Sequence, residues 1–205
     1  MNFQNLSSPE TVKKTAENLT QKGYLTFIVN SDKEALAKIK ELIPPGSSVS
    51  NGASVTLEQI GFVDYLKSNP PGWNNLHETV LAETDPIKQS LLRKQATISD
   101  YYLGSVHALL ENGEFLIASN TGSQLASIVF NSHNLIFVVG TQKIVPTLSE
   151  GFARLENYVI PKEDEHMKTK YGMGTQLNKV LVFKGESSFI GRKVTFILVN
   201  QELGF

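Results

Sequence analysis

Three short polar stretches carry the residue types that hold anions: Ser50-Asn51-Gly52-Ala53-Ser54, Ser119-Asn120-Thr121-Gly122-Ser123 and Gly140-Thr141-Gln142-Lys143. Each follows a predicted strand, and the first two open toward a helical pattern. Backbone N–H groups at a positive helix end, with hydroxyls beside them, can face a negative charge there. The candidate ligand-binding residues are Asn51, Gly52, Ser54 and Thr56 in the first stretch and Asn120, Thr121, Gly122, Ser123 and Gln124 in and after the second. Lys143 in the third brings the obvious positive charge. The same residue types also make ordinary helix N-caps, which contribute about 1 kcal/mol with no ligand at all, so the sequence leaves both readings open. Neither glycine loop has the spacing of a dinucleotide fingerprint or of a phosphate loop.

Carboxylates and histidines offer less. Glu111 and Glu114 flank an Asn112-Gly113 turn; Glu111 is the candidate catalytic residue, a nucleophile or general acid if it is buried beside a ligand, and otherwise an exposed turn residue. His107 lies inside an apolar run and reads as a satisfied strand residue, while His77, His133 and His166 have no second ligand at helical spacing, so no metal is expected. The chain has no cysteine, which excludes disulfides, thiolate zinc, protein-ligated iron–sulfur clusters and thiol catalysis within it. No serine has the spacing of a nucleophile elbow.

The 205 residues are 40% hydrophobic, enough for one substantial core, and a single domain over 1–205 is expected. Nineteen Lys and Arg against 20 Asp and Glu leave a net charge of -1, without the basic excess that nucleic acid attracts. No apolar run is long enough to span a membrane and no leader pattern opens the chain, so a cytoplasmic protein without a membrane partner is expected. Dimers are the commonest oligomers, which is the ground for expecting a homodimer.

The elements that must position these loops alternate. Ser7 and Glu10 have capping-box spacing before a helix with Pro9 at its start; Tyr24 to Asn30 reads as a buried strand; Ser31 and Glu34 open a second helix, stopped by Pro44-Pro45-Gly46. A short strand leads through Asn51-Gly52 into one helix with Val55, Leu57, Ile60, Val63 and Leu66 inward, and a further helix is predicted from about Pro86 to Ser99. Tyr101 to Ser119 reads as two strands joined at Asn112-Gly113, followed by a helix after Gly122, a buried strand at Asn134 to Gly140, a helix over Pro146 to Val159, and two closing strands. Pro161 to Asn178 is polar and glycine-bearing, a lid or surface loop. This order implies an α/β fold: a mainly parallel sheet flanked by helices, with an antiparallel hairpin portion and all three loops on one sheet edge. Trp73, in a loop, offers a docking point for a partner.

The segments "SNGASVTLEQIGFVDYLK", "ATISDYYLGSVHALLENGEFLIASNTGSQLASIVF", "LIFVVGTQKIVPTLSEGFARLENYVIP" and "GRKVTFILVNQELGF" resemble the LUD-domain family, the lactate-utilisation proteins of the LutC/YkgG type. The resemblance implies the NagB/RpiA/CoA-transferase-like architecture of sugar-phosphate isomerases. It implies a role in lactate or organic-acid utilisation, with a small anionic ligand at the helix-entry loops and the chain acting beside oxidoreductase and iron–sulfur subunits; it names no cofactor. Asn120, Thr121 and Gly122 match the family's glycine turn, Asn51, Gly52, Ser54, Thr56 and Lys143 its strand-end loops, and Glu111 an acidic position. Ser123-Gln124 stands where relatives often have Asn-Arg, and the cysteine-bearing segment of many relatives is missing, so a doubly charged phosphate and a cluster role do not carry over. Two alternatives stand beside this reading: an acyl- or CoA-transferase-like or ligase-like enzyme using Glu111, and a non-catalytic regulatory or scaffold protein.

Overall fold

The computed structural model describes residues 2–68 and 72–205; Asn69, Pro70 and Pro71, in the loop expected before Trp73, lie outside the described residues. Helix α1 (Pro9–Gln21) is capped by Ser8, which accepts the Thr11 N–H. The cap falls one residue after Ser7 because Pro9, with φ fixed and no N–H, suits the first helical position. Strand β1 (Leu25–Val29) leads to α2 (Asp32–Leu42), capped by Ser31 as the spacing predicts, with the Glu34 carboxylate reaching back to the Asn30 N–H at 2.9 Å. After β2 (Ser48–Asn51), the single expected helix is two, α3 (Val55–Gln59) and α4 (Phe62–Ser68). Gly61 at φ 73° turns the chain between them.

Next come β3 (Asn74–Asn75), α5 (Leu76–Ala82) and α6 (Pro86–Gln95). The run expected to give two strands gives three: β4 (Tyr101–Gly104), β5 (Ala108–Leu110) and β6 (Phe115–Ser119). The turn at Asn112-Gly113 does join an antiparallel pair, β5 and β6, with Gly113 at φ 82° donating to the Leu110 carbonyl. A short helical segment ending in a wide turn (Ser127–Asn131) precedes β7 (Asn134–Gly140), β8 (Ile144–Val145) and α7 (Leu148–Arg154). A second wide turn (Leu155–Val159) carries α7 directly into α8 (Ile160–Tyr171). Pro161 cannot donate to a regular turn, and the wider one absorbs the missing bond. Most of the expected loop or lid at 161–178 is therefore helix, closed by Gly172 in the left-handed conformation. Strands β9 (Lys179–Phe183) and β10 (Lys193–Val199) finish the fold.

The strands form two sheets. The first is six-stranded and parallel throughout, in the order β1-β10-β7-β4-β2-β3. The second, β8-β5-β6-β9, is mixed, with β5 and β8 parallel and β6 antiparallel to both neighbours. One sequence expectation shifts here. β1, read as a buried strand, is an edge strand with Leu25 51% and Ile28 48% exposed, and β10 lies inside the sheet next to it. Side-chain alternation builds the layers. Leu135, Phe137 and Val139 of β7 join Phe196 and Phe115 between the sheets, where the Phe115 and Phe183 rings stack with centroids 4.6 Å apart. Ile136 and Val138 face the opposite way, into a cluster with Ile39, Leu57, Phe62 and Trp73. On the outer face of the second sheet, Leu116 and Ala118 of β6 pack with Leu155 and Val159.

Trp73 is 1% exposed and meets Tyr65 edge-on at 5.6 Å, so it is a core residue and not the docking point its loop position suggests. Its loss leaves a large hole. Trp73→Ala is expected to cost about 3–5 kcal/mol of unfolding free energy in urea followed by circular dichroism; a loss under about 1 kcal/mol would contradict this packing.

Candidate functional site

The polar loops meet in a cavity of about 330 Å³. Its walls come from the carboxyl ends of parallel strands, the usual ligand position of an open α/β sheet. β2 delivers Gly52 to Thr56, β4 delivers Ser105 and His107, and β7 delivers Lys143; β6 of the second sheet supplies Asn120, Thr121, Ser123 and Gln124. Helix α8 and the turn before it close the other side with Val159, Ile160, Glu163 and Met167. The loops therefore converge, but across two sheets and not along one edge, because the chain crosses between sheets at β4 to β5 and again at β7 to β8.

Lys143 ends the second crossing, on a tight turn over Thr141–Lys143, and is 2% exposed. Its Nζ donates to Thr56 Oγ1 at 3.0 Å and Ser105 Oγ at 3.1 Å. Among the described residues no carboxylate oxygen lies within 4.0 Å of it. Burial, and secondarily the Arg154 charge, hold its pKa well below the ordinary lysine value. Arg154, absent from the sequence candidates, is fully buried beneath this site. Its Nη1 donates to the His107 carbonyl at 2.7 Å, while Nε and Nη2 have no partner. A signal existed in the sequence: Arg154 shares the inward face of its helix with Gly151, Leu155 and Val159, where an arginine is out of place.

His107 lines the cavity too, and its Nδ1 accepts the Ala118 N–H at 3.1 Å. Burial, then Lys143 and Arg154, push its pKa down to about 3. The ring is thus neutral at physiological pH, and with Nδ1 accepting, Nε2 carries the proton. Glu163, the one acidic side chain in the wall among the described residues, has its pKa raised, first by burial. The wall thus has a buried amine, a neutral imidazole, several hydroxyls and one carboxyl biased toward its neutral form, with the Arg154 cation behind them. This is an electrostatic setting for an anion.

The glycine turns work differently from the simplest expectation. The Gly122 N–H is taken by Ser119 Oγ at 2.9 Å and the Ser123 N–H by Thr121 Oγ1 at 3.3 Å. Asn120 is held from β9, where Asn178 Nδ2 donates to its Oδ1 at 2.6 Å and Lys179 Nζ to its carbonyl at 3.1 Å. These two amides of the turn are satisfied internally, and Gly122 itself does not line the cavity. Gly52 serves close approach. A Cβ there would stand 2.6 Å from Tyr102 Oη and 2.8 Å from Gln124 Oε1. Ser54 caps α3 by accepting the Leu57 N–H at 3.3 Å. Asn51 sits one residue behind the wall, its Oδ1 buried and without a partner. Glu111 lies elsewhere: it remains at the hairpin turn, 3.5 Å from Lys14, with its carbonyl bound by Asn18 Nδ2 at 2.7 Å. Glu111, the candidate nucleophile, does not line this cavity.

A model of the LUD domain matches residues 12–176. The chain belongs to the LUD-domain family. The crystal structure of a DUF162 family protein from Deinococcus radiodurans is similar in fold, with a TM-score of 0.54 at 14% identity over 96% of this chain and 100% of that one. No curated protein matches the chain. In this LUD domain the matched segment includes both glycine loops, both crossings between the sheets and all of α8. No helix among the described residues is long and apolar enough to cross a membrane, and no group of three His, Asp or Glu side chains among them is placed to hold a metal.

Lys143 makes folding pH-dependent. Its pKa is lowered in the folded chain, so between that value and about 10.5 the unfolded chain binds more protons, and stability rises with pH across this window. Unfolding free energies of wild type minus Lys143→Met are expected to climb over that window by up to about 1.4 kcal/mol per pH unit and to be flat outside it. A flat difference throughout would place Lys143 in water.

Proposed function

We propose that this LUD domain binds a small organic anion in the cavity between its two sheets, as a binding or accessory subunit in lactate-type organic-acid utilisation, beside oxidoreductase and iron–sulfur subunits. The observation that carries the reading is Lys143: a buried amine held by Thr56 and Ser105 hydroxyls, with no carboxylate to neutralise it. Burying an ionisable group without a partner opposes folding, and an anion brought by the ligand supplies the missing charge. His107 Nε2–H and the hydroxyls of Ser54, Thr121 and Ser123, which line the same cavity, orient it in this reading. The lactate assignment rests on family membership. An accessory role is favoured by the absence of cysteine ligands from the chain, which leaves electron-transfer clusters to a partner. Helix α6 has no buried residue and exposes Ile87 at 83% and Leu91 at 55%, apolar surface of the kind that partners cover.

Binding is expected to take up a proton. An anion beside Nζ favours the charged amine, so Lys143 recharges as the ligand enters. Calorimetric titration with lactate, related hydroxy acids and sugar phosphates in buffers of different ionisation heat is expected to show proton uptake near neutral pH. A ligand at about 100 times its Kd adds roughly 2.7 kcal/mol to stability. In Lys143→Met both the uptake and the thermal shift disappear. A shift of equal size in Lys143→Met would remove the lysine from the site.

A further inference from the structure

We propose that Lys143 is a nucleophile that forms an imine with the carbonyl carbon of a small α-oxo carboxylate bound in the cavity. The inference rests on the binding reading above and adds a covalent step to it, taken by the uncharged fraction of Lys143 that stands in equilibrium with the charged form in the bound state. Lysines that form imines with carbonyl substrates sit in desolvated pockets, often beside a second cationic group, because only the uncharged amine has a lone pair to donate. Lys143 has this setting: it is 2% exposed, lines the cavity, has no carboxylate partner and feels the Arg154 charge. No other lysine lines the cavity among the described residues.

The space above Nζ is kept open by Gly204. A Cβ at that position would lie 3.2 Å from Lys143 Nζ and collide with Thr56 Oγ1, and Gly204 has φ 61°, which strains any other residue. The two hydroxyls that hold Nζ, Thr56 at 3.0 Å and Ser105 at 3.1 Å, are also positioned to relay protons. The Nζ lone pair forms a bond to the carbonyl carbon, and one amine proton passes to the carbonyl oxygen. The carbon–oxygen bond of the resulting carbinolamine then breaks; the second amine proton leaves with that oxygen as water, and a carbon–nitrogen double bond remains. No oxidant or reductant enters this balance. The substrate class follows from the wall. The carbonyl compound carries a carboxylate because His107 Nε2–H, the serine and threonine hydroxyls and the field of Arg154 remain available for an anion once Nζ is engaged.

The test uses the intact wild-type protein with glyoxylate and sodium cyanoborohydride, which reduces an imine to a stable secondary amine. Peptide mapping is expected to find Lys143 labelled about tenfold faster than the solvent-facing lysines, against the order of simple accessibility. Glycolate, which has no such carbonyl, is expected to slow the labelling by occupying the cavity. Labelling that follows exposure, with Lys143 unmodified, overturns the proposal. In that event the thermal shifts separate the two readings: glyoxylate and glycolate both raising Tm leaves anion binding intact and removes only the imine, whereas no shift with either removes both.

Discussion

The site depends on two adjacent chain crossings between two sheets. β4 pairs with β7 in the parallel sheet, with Gly104 opposite Phe137, and their continuations β5 and β8 pair in the second sheet, with Leu109 opposite Ile144. Two strands that run together through both sheets must also cross the gap together. The crossing residues, Ser105 to His107 and Thr141 to Lys143, therefore lie side by side where regular pairing stops. Backbone pairing on both flanks fixes the crossings, which lets a lysine and a histidine be held inside the protein without a salt bridge to anchor them. Between the sheets the aromatic rings of Phe115, Phe137 and Phe196 pack against one another.

The cost of this arrangement is electrostatic. Lys143, His107 and Arg154 all lose hydration, and each has its charged form disfavoured. A structural protein would place a carboxylate among them; here Glu163, the acid in the wall, is itself biased toward its neutral form. Burying these groups without a neutralising partner opposes folding, and on the proposed reading an incoming anion offsets that cost. Exposed pairs such as Lys170 with Glu58 at 2.9 Å, which tie α8 to α3, return little, since solvent screens them.

Much of this was legible from residue types. The alternating apolar runs gave β7 and β10, the Asn112-Gly113 turn gave the hairpin, and the loops at Gly52 and Ser119 and the lysine at 143 lie around one cavity. What the sequence hid were relations between distant segments. Tyr101 to Leu110 has only Gly104 to mark its passage from one sheet to another, and Ser105 to His107 looks like more strand. The helix through Pro161 was hidden because a wide turn rescues a proline that ordinarily ends a helix. Glu111 looked chemical because it borders a turn, yet the turn points away from the crossings toward α1. Arg154 reads as one residue of a helix face, although the fold buries it completely and so sets a second basic group behind Lys143.

Trp73 is the sole tryptophan of the chain, packed among Phe62, Leu66 and Tyr65 on the helix side of the parallel sheet and outside the cavity wall. The natural fluorescence of this protein is therefore an internal gauge of one layer alone. Its emission follows the burial of that indole as the layer melts, while molecules entering between the sheets meet no indole to quench.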